Sequence, residues 1–219
     1  MNSIKTIIFD YDGTLHETSH LYGEAFRYAY SYLVSKGLAI EKTYTDEETS
    51  IYLGMNAIDM WEAFMPDLDK DIKAKASGMI GQKMDELIVA GYARLYDGCI
   101  AMLDELKSEG YKLLILSNCR HAYLKEHRSY FNLDRWFSGY YAAQDYGFIP
   151  KHEIFKRLKE DYEGDYLMIG DRQSDIDAGV LNGCKTIGCT YGYGSKQELS
   201  KADYLIDNID QINIILKNL

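Results

Sequence analysis

Residues 6–18 read TIIFDYDGTLHET, an apolar run that ends on two carboxylates, Asp10 and Asp12, and then turns at Gly13 and Thr14. Ile7, Ile8 and Phe9 form a short β-branched and aromatic run, the pattern of a buried strand. Two negative charges at the mouth of such a strand repel each other and lose hydration. A chain that keeps both holds a cation there, or uses one of them in chemistry.

Outward from this stretch the pattern is helical. Residues 4–10 read as the strand and residues 19–36 as an amphipathic helix, with Leu21, Tyr22, Ala25, Phe26, Ala29, Tyr30, Leu33 and Val34 at helical spacing and Gly37 as its stop. Thr45 and Glu48 form a capping-box pair for a short helix. Residues 56–65 and 67–90 are again helical in pattern, with Pro66 as a breaker between them. From residue 101 onward helices alternate with strands. AMLDELKSEG, residues 121–130, HEIFKRLKEDY and SDIDAGVLNG read as helices; YKLLILSN, GYYAAQ, DYLMIG, CKTIGCT and ADYLI read as strands. Alternation of this kind predicts an α/β fold, a doubly wound parallel sheet covered on both faces. The first strand joins that sheet, so residues 1–15 and 92–219 form an α/β core domain and residues 16–91 an inserted helical domain.

The chain of 219 residues carries 47% hydrophobic and 26% charged residues and a net charge of −10. That balance argues against a nucleic-acid backbone as the main partner. A small phosphorylated substrate stays open, because a metal and one or two local cations dominate a single pocket. Cys99, Cys119, Cys184 and Cys189 form no Cys-x-x-Cys pair and suit no zinc site; they read as reduced core residues of a cytoplasmic protein. No signal peptide is visible, and no apolar run approaches the roughly 20 residues a membrane span needs. The 20 tyrosines read as half-buried packing residues. Oligomeric state is not legible.

Ligands of an open parallel sheet bind beyond the carboxyl ends of its strands. Four places of this kind carry polar groups here: Asp10 and Asp12, then Ser117 and Asn118, then Lys151, then Asp171 and Asp175. Taken singly, a Ser there is usually a turn residue, a Lys a solvated charge and an Asp an N-cap. Together, DYDGTL, LILSN, Lys151 and GDRQSD, in this order and spacing, resemble the haloacid dehalogenase superfamily of phosphohydrolases. The likeness spans nearly the whole chain. The helical insertion and the tail TIGCTYGYGSKQELSKADYLIDNIDQI are similar to its phosphoglycolate phosphatase-like branch, whose insertion is a small cap.

The resemblance implies a Mg²⁺-dependent phosphatase of small phosphomonoester metabolites with an aspartyl-phosphate intermediate. Asp10 is the implied nucleophile and Asp12 the implied general acid and base, two residues on and so on the same face. Asp10, the backbone carbonyl of Asp12, and Asp171 would hold Mg²⁺, with Asp175 nearby or bound through water. Ser117 and the Asn118 N–H would hold phosphate oxygens. Lys151 would add positive charge and keep Asp10 ionised. Gly13 and Thr14 allow the turn, with Thr14 bonding to Asp10. The dehalogenases of the superfamily lack an acid where Asp12 stands and the phosphonatases have Ala there, so Asp12 favours phosphate esters.

Some positions depart from the family pattern. Lys151 is preceded by Pro150 and followed by His152, where Pro commonly follows the lysine; Glu17 stands for the usual Asp. The mutase relatives carry a His where this chain has Tyr22 and an Arg in a cap loop where it has Asn56, which weakens the phosphotransferase or phosphoglucomutase-like reading but leaves it the alternative among enzymes. A catalytically idle binding protein is a further alternative. A phosphorelay receiver is disfavoured because its Asp ends a middle strand of a much shorter chain. His16 and His20, where the chain leaves the core, read as polar linker residues at the domain edge, with contact to a substrate as the lesser alternative. GYGS is a loop ahead of a helix capped by Ser195 and Glu198.

Overall fold

The computed structural model describes residues 4–162 and 164–219. Strand β1 (Ile4–Phe9) is followed by helices α1 (Ser19–Ser35), α2 (Asp46–Ser50), α3 (Ala57–Phe64) and α4 (Lys70–Val89). Then come α5 (Cys99–Ser108), β2 (Lys112–Ser117), α6 (His121–Tyr130), β3 (Phe137–Ala142), α7 (Lys151–Leu158), β4 (Asp165–Gly170), α8 (Gln173–Leu181), β5 (Lys185–Cys189), β6 (Tyr204–Ile206) and α9 (Gln211–Leu216). The chain divides into two compact units, one made of the residues up to Glu17 with Arg94–Leu219, the other Thr18–Ala93. No helix of the described residues is long and apolar enough to cross a membrane.

In the first unit the strands form one sheet in the order β3-β2-β1-β4-β5-β6. Every neighbouring pair is parallel, so all carboxyl ends lie on one edge, as the alternating pattern predicts. The apolar runs exist because both faces are covered: Ile7, Ile8 and Phe9 have no exposed surface. On one face Ile8, Leu114, Leu116 and Met168 pack with Ile154, Phe155 and Leu158 of α7 and Ala178 of α8. The chain winds outward from β1 through β2 to β3, then returns to the other side of β1 at β4. The crevice of a doubly wound sheet opens at this reversal. Phe9 is level with Ile115 of β2 and Ile169 of β4, so Asp10, Ser117 and Asp171 all emerge at that edge.

Two local features differ from the sequence reading. Ser195 and Glu198 do bond reciprocally, at 2.8 and 3.2 Å, but they close a run of turns instead of a helix. Helix α9, six residues long, was not expected from the pattern. Its Ile212 and Leu216 are buried, and a run this short carries little periodic signal.

The second unit is helical throughout. The apolar seam of α1 is buried at Leu21, Tyr22, Ala25, Phe26, Ala29, Tyr30 and Leu33, and α1 packs on α4. Thr45 and Glu48 form the expected capping box at α2. Phe26 is the centre of an aromatic cluster, with ring centroids of Phe64 at 4.9 Å, Tyr44 at 5.3 Å and Tyr52 at 5.9 Å. Tyr30 packs its ring in this cluster and donates its hydroxyl to the Ile40 carbonyl at 2.8 Å. Removing Phe26 leaves a cavity that several stiff rings cannot collapse into. Phe26→Ala is expected to destabilise the protein by about 3–5 kcal/mol in urea unfolding; a loss below about 1 kcal/mol would show that the cluster does not hold the unit together.

Candidate active site

Asp10 follows β1 directly, and its N–H still bonds to the Ile169 carbonyl at 2.8 Å. The sheet therefore fixes where this carboxylate starts. Asp171 follows β4, Asp175 lies in the first turn of α8, and Lys151 opens α7. All four side chains are buried. The Lys151 ammonium donates to Asp10 Oδ1 at 2.6 Å and to Asp175 Oδ1 at 2.5 Å. One carboxylate oxygen from each of Asp10, Asp171 and Asp175 lies within 4.8 Å of the others.

Burial sets the electrostatics. It pushes the Asp10 carboxyl well above the ordinary range, with the Asp175 charge adding and Lys151 opposing. Burial and then Asp175 push Asp171 up to about 7. Burial alone would lower the Lys151 pKa, but Asp10 and Asp175 outweigh it and hold the ammonium above its usual range. Ionised together, these three buried carboxylates would leave a charge of −2 against the one ammonium. A divalent cation balances that charge, and an all-oxygen donor set suits a hard ion. These residues fit a metal ion.

The close packing around Asp171 needs its glycines. Gly13 has φ +89°, and a Cβ there would meet Asp171 Oδ2 at 2.4 Å. At Gly170 a Cβ would meet the Asp175 carboxyl at 2.3 Å. Asp171 is held by the Tyr193 N–H at 2.7 Å and by the Thr14 hydroxyl at 3.3 Å. Thr14 was expected to bond to Asp10. It bonds to Asp171 because the turn at Gly13 carries the chain toward β4. Asp175 accepts the Arg172 N–H at 2.9 Å, which ties it to the start of α8 while Lys151 holds its other oxygen.

Asp12 contributes no carboxylate to this group. Its Oδ1 accepts the Tyr123 hydroxyl at 2.6 Å and lies 3.2 Å from His16 Nδ1. Burial raises its pKa, but the bonds from His16 and Tyr123 and the charge of His16 overcome this and leave it below the usual value. His16 was expected in a linker beside His20. The two are separated: His20 is exposed on α1 with Asp46 at 3.0 Å, whereas His16 has no exposed surface. The backbone of His16 pairs with Asp12 and Leu95, which anchors it in the sheet unit. Behind it, Tyr11 stacks on the His16 ring at 5.4 Å and bonds to His127 Nδ1 at 2.8 Å.

Ser117 ends β2, buried and level with Ala142 of β3. The Cys119 thiol, pushed up to about 12 by burial and then by the Asp12 charge, also feels Asp10 and bonds to Ser117; the turn Ser117–Asn118–Cys119 thus lies beside both acids. The structure brings Asp10, Lys151, Asp171 and Asp175 close together, with Thr14 bonded to Asp171, and leaves Asp12 in a separate hydrogen-bonded group. Tyr123, His127 and Tyr11 were not singled out in the sequence. A signal existed: Tyr123, Leu124 and His127 share one face of α6 at helical spacing, and that face is buried.

His127 tests this arrangement. Burial, then the neighbouring His16, push its pKa down to about 3, with Asp12 opposing. The folded protein therefore keeps this ring neutral, while the unfolded ring takes a proton as pH falls through ~6.5. The unfolded state binds more protons in that window, so stability is present above it and is lost as acid is added. Urea unfolding is expected to lose about 1 kcal/mol from this group between about pH 7.5 and about pH 5.5. His127→Asn, which keeps a partner for Tyr11, should show a flatter slope; an equal slope in both proteins would refute the neutral assignment.

The haloacid dehalogenase-like hydrolase family profile matches residues 4–183. The 5'-nucleotidase of Pseudomonas aeruginosa is 33% identical over 111 residues, 48% of this chain and 50% of that protein, so the chain spans half the length of this relative. Pyrophosphatase PpaX of Anoxybacillus flavithermus is 26% identical over 222 residues, which cover 98% of this chain and 97% of that protein. The crystal structure of a predicted phosphoglycolate phosphatase from Haemophilus somnus 129pt shares the fold, with a TM-score of 0.83 at 23% identity over 98% of this chain and 99% of that one. With four motifs meeting at one sheet edge and a profile that covers most of its length, this chain belongs to the haloacid dehalogenase-like hydrolases.

Proposed function

We propose that this protein is a Mg²⁺-dependent phosphatase of small phosphomonoesters that works through an aspartyl-phosphate on Asp10. One observation carries the reading: three buried carboxylates cluster at the reversal point of the sheet with a single ammonium, which bonds two of them. Such a residual charge of −2 is costly without a cation, and a cation at a carboxylate cluster is the equipment of phosphoryl transfer. Asp10, Asp171 and Asp175, with the Asp12 carbonyl implied by the family likeness, would hold the ion. Bound Mg²⁺ supplies positive charge that lets these carboxylates ionise together and that withdraws charge from the phosphoryl oxygens.

The chain's own groups do the rest. Lys151, bonded to Asp10 Oδ1, fixes the plane of the nucleophile. Asp10 attacks phosphorus, the ester P–O bond breaks, and the leaving alcohol takes a proton from Asp12. Water then gives a proton to Asp12, attacks the aspartyl-phosphate and frees Asp10. Ser117 and the Asn118 N–H hold phosphate oxygens. The helical insertion is the cap that selects the substrate: the chain leaves the core at Glu17 and returns at Arg94, and these two residues bond at 2.9 Å just beyond β1. A phosphoglycolate, a sugar phosphate, a nucleotide or pyrophosphate each fits the core chemistry. Four unpaired thiols fit a reducing setting, the cytosol.

Phosphate release from nitrophenyl phosphate tests the reading. Release should require Mg²⁺, stop with chelator, and fall at least about 10³-fold in Asp10→Asn, because losing a nucleophile removes the covalent route. Activity near wild type in Asp10→Asn, or turnover indifferent to chelator, would overturn it. Turnover that appears only with a bisphosphate activator would point to a mutase.

A further inference from the structure

Asp12 sits in a socket of its own. Its Oδ1 accepts the Tyr123 hydroxyl at 2.6 Å, and His16 Nδ1 approaches the same oxygen at 3.2 Å. The two donors come from different parts of the chain, His16 from the turn after β1 and Tyr123 from the first turn of α6. They also touch each other, with the Tyr123 oxygen 3.3 Å from His16 Nδ1. The His127 ring wedges behind both, 4.4 Å from His16 and 4.3 Å from Tyr123 between centroids. Tyr11 locks His127 through its hydroxyl and His16 through its ring. Two converging donors on one oxygen fix both the position and the plane of a carboxyl group.

We propose that Tyr123 and His16 are positioning residues that aim Asp12 at the leaving-group oxygen of the substrate. This inference rests on the phosphatase reading above. Oδ1 already accepts two donors, so the transferable proton rides on Oδ2. In the first half-reaction the Asp10 O–P bond forms, the ester O–P bond breaks, and the Oδ2 proton passes to the departing oxygen. In the second, water's oxygen bonds to phosphorus, the Asp10 O–P bond breaks, and water's proton returns to Oδ2. A loose Asp12 would miss that oxygen, and the loss would be greatest where the leaving group most needs a proton.

The test compares two esters of similar shape, phenyl phosphate and nitrophenyl phosphate, on the full chain with Mg²⁺. The quantity is kcat/KM, which reports the steps up to alcohol release. Tyr123→Phe is expected to lower it roughly 10- to 100-fold for the basic phenol leaving group and far less for the acidic nitrophenol. In an Asp12→Asn background the Tyr123→Phe loss should vanish, since both changes remove the same aimed acid. His16→Asn, which keeps a donor near the Nδ1 position, should retain more phenyl phosphate activity than His16→Leu. If Tyr123→Phe slows both esters equally, or if its loss persists in the Asp12→Asn background, Tyr123 is only structural and the inference is overturned. No loss on either ester overturns it too. Wild-type protein that releases no phosphate from either ester sinks the phosphatase reading, and this inference with it.

Discussion

One buried ammonium joins the site. Lys151 bonds to Asp10, 141 positions away, and to Asp175, 24 positions away. Each of those carboxylates is desolvated, and Asp171 stands beside them with the same sign. Burying an unpaired charge costs several kcal/mol, and a paired one is tolerated only where the geometry is good. Both Lys151 bonds are short, so the lysine makes the acidic cluster possible within a folded core. It does not neutralise it. The negative charge left over when these acids ionise is what a bound cation would balance in the phosphatase reading proposed above.

The parallel sheet is what makes this pairing geometrically possible. Asp10 continues the hydrogen-bond ladder of β1 against β4, and Asp171 leaves β4 one residue beyond the same level. Reversal of strand order beside β1 opens the edge there, and α7 and α8, packed against each other on one face of the sheet, deliver Lys151 and Asp175 from their first turns. Gly13 and Gly170 permit an approach no side chain would survive. The rigid elements thus set the distances, and the loops carry only short turns.

Two acids separated by one residue end in opposite electrostatic surroundings. Burial and like charges push Asp10 up, whereas His16 and Tyr123 draw Asp12 down. Paired carboxyl groups with divergent pKa values are the usual basis for dividing nucleophilic and proton-transfer work. Positive charge beside Asp10 favours its ionised form, and in the proposed mechanism a phosphate dianion near Asp12 would raise its proton affinity. Under that proposal, binding would move each group toward the state its assigned role requires.

The apolar runs determined the strands, and their alternation with helices determined the parallel sheet, because burial on both faces leaves a continuous hydrophobic signature. The sequence by itself also named Asp10, Asp12, Ser117, Lys151, Asp171 and Asp175 as residues at strand ends or helix starts, since that placement follows from local pattern. Only the tertiary structure decided which of them touch. Thr14 turned to Asp171 and not to Asp10, His16 went into the core instead of a linker, and Tyr123 and His127 closed around Asp12 from more than a hundred positions away. Such partners are invisible to periodicity, which reports whether a side chain is buried. Which other side chain meets it is settled when sheet register and helix packing bring distant segments together.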